Sequence, residues 1–191
     1  ISKIKVYCED DVGITYCKSF LPKRIKDKIE FVTGMDLPWS VYKTMYQHKV
    51  PEFLNNIIVL DGDVKKQDLG WKNYPHDKNI SFLPTMDAPE RMIYNMLYDM
   101  DEMDGFWDNS LSGYSKAVCF RDYPNRLDNI DDIKKWFEGQ KEYAGRAYSK
   151  FLNEWKKRNP EIVLEFVKEF AKTYNYVAEK TGFDQIDINA L

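Results

Sequence analysis

Residues 3–17 read KIKVYCEDDVGITYC, and residues 55–66 read NNIIVLDGDVKK. Each stretch is a short apolar run that ends abruptly in acids. Residues 3–8 alternate and are β-branched, which predicts a strand. Residues 57–60, IIVL, are continuously apolar and of strand length, the pattern of a strand buried on both faces of a parallel sheet. Glu9, Asp10 and Asp11 follow the first strand, and Asp61 and Asp63 follow the other. In a parallel α/β sheet, functional groups collect beyond the carboxyl ends of the strands. If the two strands are neighbours, all five carboxylates stand at one edge of the sheet.

The elements around these stretches support that frame. Residues 12–27 predict a helix with an early Gly and a break near Pro22. IEFV at 29–32 predicts a second strand, closed by Thr33 and Gly34. Residues 38–48 predict a helix with Pro at its first turn. A polar loop is expected over 61–79, then a fourth strand, ISFL, at 80–83 and a helix over 88–103. Strands alternating with helices imply a parallel sheet. After residue 104 the alternation stops. Residues 105–129 predict irregular structure, and 131–158 and 160–181 predict two long helices divided at Asn159-Pro160. In the second, Ile162, Phe166, Phe170 and Val177 recur at helical spacing. The expected fold is therefore α/β: a parallel sheet flanked by helices over 1–104, followed by an α-helical C-terminal extension over 105–191.

The chain has 191 residues, 43% of them hydrophobic and 15% aromatic, enough to bury a core. With 28 basic and 31 acidic residues, the net charge of −3 carries no global basic signature for nucleic acid. A local one exists: residues 134–158 hold eight basic and three acidic residues, a local +5. Such a segment suits a track for phosphates, although a solvated face laced with Glu–Lys pairs is the simpler expectation. Trp136, Phe137, Tyr148 and Trp155 within it are expected in the core rather than as base-stacking platforms. Cys8, Cys17 and Cys119 lack zinc spacing and leave one thiol over in any pairing, which favours a reducing, cytoplasmic setting. Cys8 and Cys17 are expected as small core residues. His48 and His76 are isolated and are not favoured as metal ligands. No apolar window is long enough for a membrane span, and no signal peptide is visible. The chain starts without Met and runs almost at once into a strand, so an upstream domain is expected.

Clustered carboxylates raise one another's pKa, and a hard divalent cation removes that cost. Mg²⁺ takes one or two carboxylates with waters and phosphate oxygens. Glu9, Asp10, Asp11, Asp61 and Asp63 are thus the candidate ligands for Mg²⁺ or Mn²⁺. The competing role for Asp10 and Asp11 is to cap the following helix. Gly62 between the two aspartates is expected to permit a sharp turn.

A Glu after the first strand and Asp-x-Asp after a later one resembles the Toprim fold of topoisomerases, primases and OLD-family (overcoming lysogenization defect) nucleases. The matching residues are Glu9 in VYCEDD and Asp61 and Asp63 in VLDGDV. FLPTMDAPERMIYNML, at 82–97, is similar to the strand, Leu-Pro turn and Pro-Glu helix start of OLD-type Toprim domains. The likeness covers about residues 3–103. The pattern departs from the usual one after Glu9. Asp10 stands where a Gly is usual and Gly13 where a further acid is usual, leaving Asp10 and Asp11 as the available substitutes. The resemblance implies a divalent-metal-dependent endonuclease or nickase acting on nucleic acid, DNA in preference to RNA. Glu9 would be a metal ligand or general base. The same group implies an upstream ABC-type ATPase domain, a role in anti-phage defence and a late catalytic Lys, for which Lys141, Lys135 and Lys150 are the candidates, Lys141 first. A homo-oligomer is expected. Two other classes fit part of the pattern. In a receiver-like signalling domain Asp61 would accept a phosphoryl group, with Mg²⁺ held by Asp10 and Asp11, but the Lys-Pro and Met-Pro pairs of that class are missing. A catalytically inert module would keep the fold as an interaction surface.

Overall fold

The computed structural model describes residues 2–67, 79–110, 114–144 and 147–191, with the side chains at 109–110, 141–144 and 147 outside that description. In chain order the elements are β1 (Ile4–Cys8), α1 (Asp11–Phe20), α2 (Lys23–Lys26), β2 (Ile29–Phe31), α3 (Trp39–Gln47), α4 (Pro51–Leu54) and β3 (Ile57–Leu60). There follow α5 (Val64–Gln67), β4 (Ile80–Phe82), α6 (Pro89–Asp99), α7 (Gly105–Ser110) and α8 (Lys116–Cys119). The last are α9 (Ile130–Ala144), α10 (Ala147–Arg158), α11 (Pro160–Thr181) and a 3-10 turn at Ile188–Ala190. The fold is α/β, as the alternation predicts. The break expected near Pro22 is present and divides the stretch into α1 and α2, because Leu21 turns to extended backbone ahead of Pro22. Four short helices differ from the expectation: α4, which has Pro51 at its start, α5, directly after Asp63, and α7 and α8, which lie in the 105–129 stretch expected to be irregular and are too short to show a period. The rest of the expected 61–79 loop, with His76, lies largely outside the described residues.

The chain forms two compact units: residues 1–87 with 160–191, and residues 88–159. Residue 104, the expected boundary, falls within the second, and α11 returns to the sheet unit.

The first unit holds a four-stranded, all-parallel sheet in the order β2-β1-β3-β4. β3 is buried at every position, which is why its sequence is continuously apolar. One face packs Tyr7, Ile58, Leu60 and Ile80 against Trp39, Tyr42, Tyr46, Phe53 and Val64. α1 packs on β1, while α11 packs on β3 and β4. On that side Phe20 meets Phe166 edge to face, ring centres 6.1 Å apart. Cys8 and Cys17 are buried and free, as expected of core residues. The β1–β3 register pairs Val6 with Ile57, Tyr7 with Ile58 and Cys8 with Val59. The register puts both strand ends at one level, with Glu9 one residue beyond Cys8 and Asp61 two beyond Val59.

The second unit, α6–α10, is built on aromatic contacts. Trp136 stacks on Phe120 with ring centres 5.4 Å apart and meets Tyr94 edge to face at 5.1 Å. Its indole N–H donates to the Cys119 carbonyl (3.0 Å). Trp136, Phe137 and Trp155 are buried, as expected. Among the described residues, no helix is long and apolar enough to cross a membrane.

Docking of α11 on β4 uses a buried polar pair. Thr173 Oγ1 donates to the Glu169 carbonyl (3.1 Å), which leaves Ser81 Oγ as donor to Thr173 Oγ1 (2.9 Å). Removing only the acceptor strands a buried hydroxyl, whereas removing both groups is far cheaper. Thr173→Val is expected to cost about 1–2 kcal/mol in urea unfolding. The Ser81→Ala, Thr173→Val double variant should cost less than the sum of the singles, and strict additivity would refute the pairing.

Candidate functional site: the acidic edge of the sheet

The three acids after β1 take different positions. Asp10 is the N-cap of α1, and its Oδ1 accepts from the Gly13 N–H at 3.1 Å. Asp11 Oδ1 accepts from the N–H of Gly34 (3.0 Å), a residue at φ +77° in the turn after β2. Glu9 points along the sheet edge. Its Oε2 accepts from the Asp61 N–H at 2.7 Å, and its Oε1 from the Trp39 N–H at 3.2 Å, at the first turn of α3. The Glu9 main chain adds a further tie, since its carbonyl accepts from the Leu37 N–H (2.9 Å). One residue earlier, the buried Tyr42 hydroxyl donates to the Cys8 carbonyl (2.7 Å).

Asp61 and Asp63 close the edge from β3. The Asp61 carboxylate reaches over the start of α1: its Oδ1 lies 3.7 Å from where a Cβ on Gly13 would sit. The same Cβ would stand 3.1 Å from the Cys8 Cβ, so glycine at position 13 lets α1 approach β1 closely. Asp63 opens α5. Its carbonyl accepts from the Lys66 and Gln67 N–H groups, and its Oδ2 from Gln67 Nε2 at 2.9 Å. Gly62 has a role other than the expected sharp turn. A Cβ there would lie 2.5 Å from the Thr85 carbonyl oxygen and 3.0 Å from those of Pro84 and Asp87. Close approach of the 84–87 loop, not backbone conformation, demands glycine.

Glu9, Asp61 and Asp63 are thus brought together, while Asp10 and Asp11 are engaged by backbone amides of their own. Burial pushes the Glu9 carboxyl above its usual range. The Asp61 N–H pulls it back down, and the negative charge of Asp63 pushes it further up. All the oxygen donors are hard, and that chemistry suits Mg²⁺ or Mn²⁺. Among the described residues, no group of three or more His, Cys, Asp or Glu is placed so as to hold a metal ion. Glu9 already spends a lone pair of each oxygen on an amide, so ligation through it would use the remaining ones.

The proposed late lysines belong to the helical unit. Lys135 and Lys150 are exposed on α9 and α10. Lys141 occupies a helical position on α9, with its side chain outside the described residues. Within the basic segment, the charge of Arg158 is paired. Arg158 bonds Glu154 at 2.9 Å, four residues away, and Asp104 at 3.0 Å.

Sequence reasoning missed the supports of the site. Lys65 Nζ donates to the Thr85 carbonyl at 2.9 Å and to the Leu83 carbonyl at 3.5 Å. Lys66 pairs with Asp87 at 3.2 Å. The available signal was VKK directly after LDGD, two cations immediately behind two acids. A cavity of about 630 Å³ opens beside these groups, between β4 and α11, with Lys65, Thr85, Glu165, Lys172 and Tyr176 in its wall. The chain matches no family model, no curated protein and no solved structure.

Two outcomes follow. The Glu9 carboxyl, tracked by ¹³C NMR, should titrate with a midpoint above its ordinary 4.5. Between that value and the folded midpoint the native chain binds more protons than the unfolded one, so Glu9 makes stability fall as pH rises through the window. A midpoint at or below the ordinary value would contradict the burial argument. Gly62→Ala should cost roughly 2–3 kcal/mol in chemical denaturation, since backbone oxygens have to move; a cost within 0.5 kcal/mol, about the size of an ordinary surface change, would show that the loop yields freely.

Proposed function

We propose that this chain is a metal-dependent nuclease domain of Toprim-like design, hydrolysing phosphodiester bonds in nucleic acid. One observation carries the proposal: Glu9, Asp61 and Asp63 meet beyond the carboxyl ends of two adjacent parallel strands, β1 and β3, joined by the 2.7 Å bond from the Asp61 N–H to Glu9. That is where α/β sheets carry their chemistry. Asp61 and Asp63 would hold Mg²⁺ or Mn²⁺, with Glu9 beside them. The bound ion would activate water and stabilise charge on the scissile phosphate. Glu9, whose proton affinity is raised by burial, is suited to accept the proton of the attacking water. The late lysine that the resemblance implies, Lys141 first, would help neutralise the phosphate. The resemblance further supports an effector role beside an ATPase domain in anti-phage defence, with DNA preferred over RNA.

A second reading, an inert module that kept the fold, is favoured by one fact. Glu9, Asp10 and Asp11 each already serve a backbone amide. Such bonds alone are enough to retain acids in these positions.

Supercoiled plasmid and a structured RNA, each incubated with the chain in Mg²⁺, in Mn²⁺ and in EDTA, separate the two. Divalent-dependent cutting is expected, reduced roughly 100-fold or more in a folded Asp61→Asn, Asp63→Asn variant. Undiminished cutting by that variant would sink the assignment of the site. Absence of both cutting and divalent-linked thermal stabilisation would favour the inert module.

A further inference from the structure

We propose that Lys65 is a positioning residue for Asp61 and Asp63, acting as a clamp on the loop 83–87; its link to catalysis rests on the nuclease reading above. Lys65 lies two residues beyond Asp63, on α5, yet its ammonium turns to the loop after β4. It donates to the carbonyls of Thr85 (2.9 Å) and Leu83 (3.5 Å) and lies 5.5 Å from the centre of the Phe82 ring. Burial lowers the proton affinity of this amine, so the position costs something that a solvated lysine avoids. Two of its three donors are committed to main-chain oxygens. That arrangement suits a fixed brace better than a finger reaching for substrate.

The loop needs bracing. Thr85 sits at φ +69°, a left-handed conformation unfavourable for a β-branched residue. Its carbonyl oxygen is also the atom closest to Gly62, at 2.5 Å from a notional Cβ. The same oxygen therefore receives the Lys65 ammonium and forms the floor under the residue between the two aspartates. Other ties fix the ends of the loop. The Leu83 N–H donates to the Leu60 carbonyl (2.8 Å), and Lys66 pairs with Asp87. Without the Lys65 ammonium, the Thr85 carbonyl loses a charged partner and the strained residue can relax. The floor under Gly62 then shifts, and the Asp61–Asp63 backbone is no longer held.

Amide hydrogen exchange on the whole chain tests this. Lys65→Met keeps the apolar stem and removes the donors. It should speed exchange at Asp61–Val64 by about tenfold or more relative to the amides of β1 and β3, which report global opening. Lys65→Arg should restore protection to within about threefold, because it retains the charge and donors. Thr85→Gly in the Lys65→Met background should restore part of it by removing the strain. Unchanged exchange at 61–64, or equal acceleration across the whole sheet, would overturn the clamp. Should Lys65→Met fail to fold, Lys65→Gln carries the same comparison, since it removes the charge and leaves only a shorter, neutral amide. Mn²⁺ broadening of the Glu9 and Asp61–Asp63 resonances in the unsubstituted chain is read separately. Its absence would count against the metal site and leave the exchange comparison to decide the clamp.

Discussion

A half-buried carboxylate joins the parts of the sheet unit that matter most. Glu9 accepts one amide from Asp61, across the neighbouring strand end, and another from Trp39, at the start of α3. Three segments that are distant in sequence are thereby set against one another. Burying such a group is unfavourable unless its oxygens are satisfied, and here two amides satisfy them. The first turn of a helix also favours negative charge. Burial and Asp63 nevertheless prevail, and the carboxyl holds its proton more tightly than usual. The group is therefore a structural tie that binds its proton more tightly than an ordinary glutamate does.

The other acids divide according to what their backbone asks of them. Asp10 caps α1, and Asp11 holds the turn at Gly34. Those tasks are ordinary ones for aspartate next to a helix start. Asp61 and Asp63 come from a different demand. They lie where β3 ends against a loop so close that only glycine fits between them. The charge of Asp63 is felt at Glu9, whose carboxyl it pushes up. Close loop packing at Gly62 and the burial of Glu9 together distinguish this corner from a row of solvated carboxylates.

Much of this was legible in the chain itself. IIVL announced a strand buried on both faces, and the structure buries all of it. The acids marked the ends of β1 and β3 because a hydrophobic run cannot continue through them. The neighbourhood of those strands, needed for the acids to meet, depended on sheet order, which periodicity alone does not encode. The purpose of Gly62 was misjudged because a glycine required by a distant carbonyl looks the same as one required by a turn. Lys65 was passed over for a similar reason. A lysine in a polar stretch reads as surface, and only the fold of residues 83–85 back onto it shows its partners. The helix α5 was hidden by its length, one turn being too short to show a period.

The sheet unit is also discontinuous along the chain. Its four described strands all lie before residue 83, whereas α11, which packs on β3 and β4, spans Pro160–Thr181. During synthesis the ribosome must therefore add the whole of residues 88–159 before that cover exists. For that interval the side of β4 carrying Ser81 faces water without its helix. Contacts closed over such long separations make for slow folding. A nascent chain with an uncovered apolar sheet is a natural client for chaperones. The order in which the ribosome delivers the segments thus becomes part of how this fold is reached.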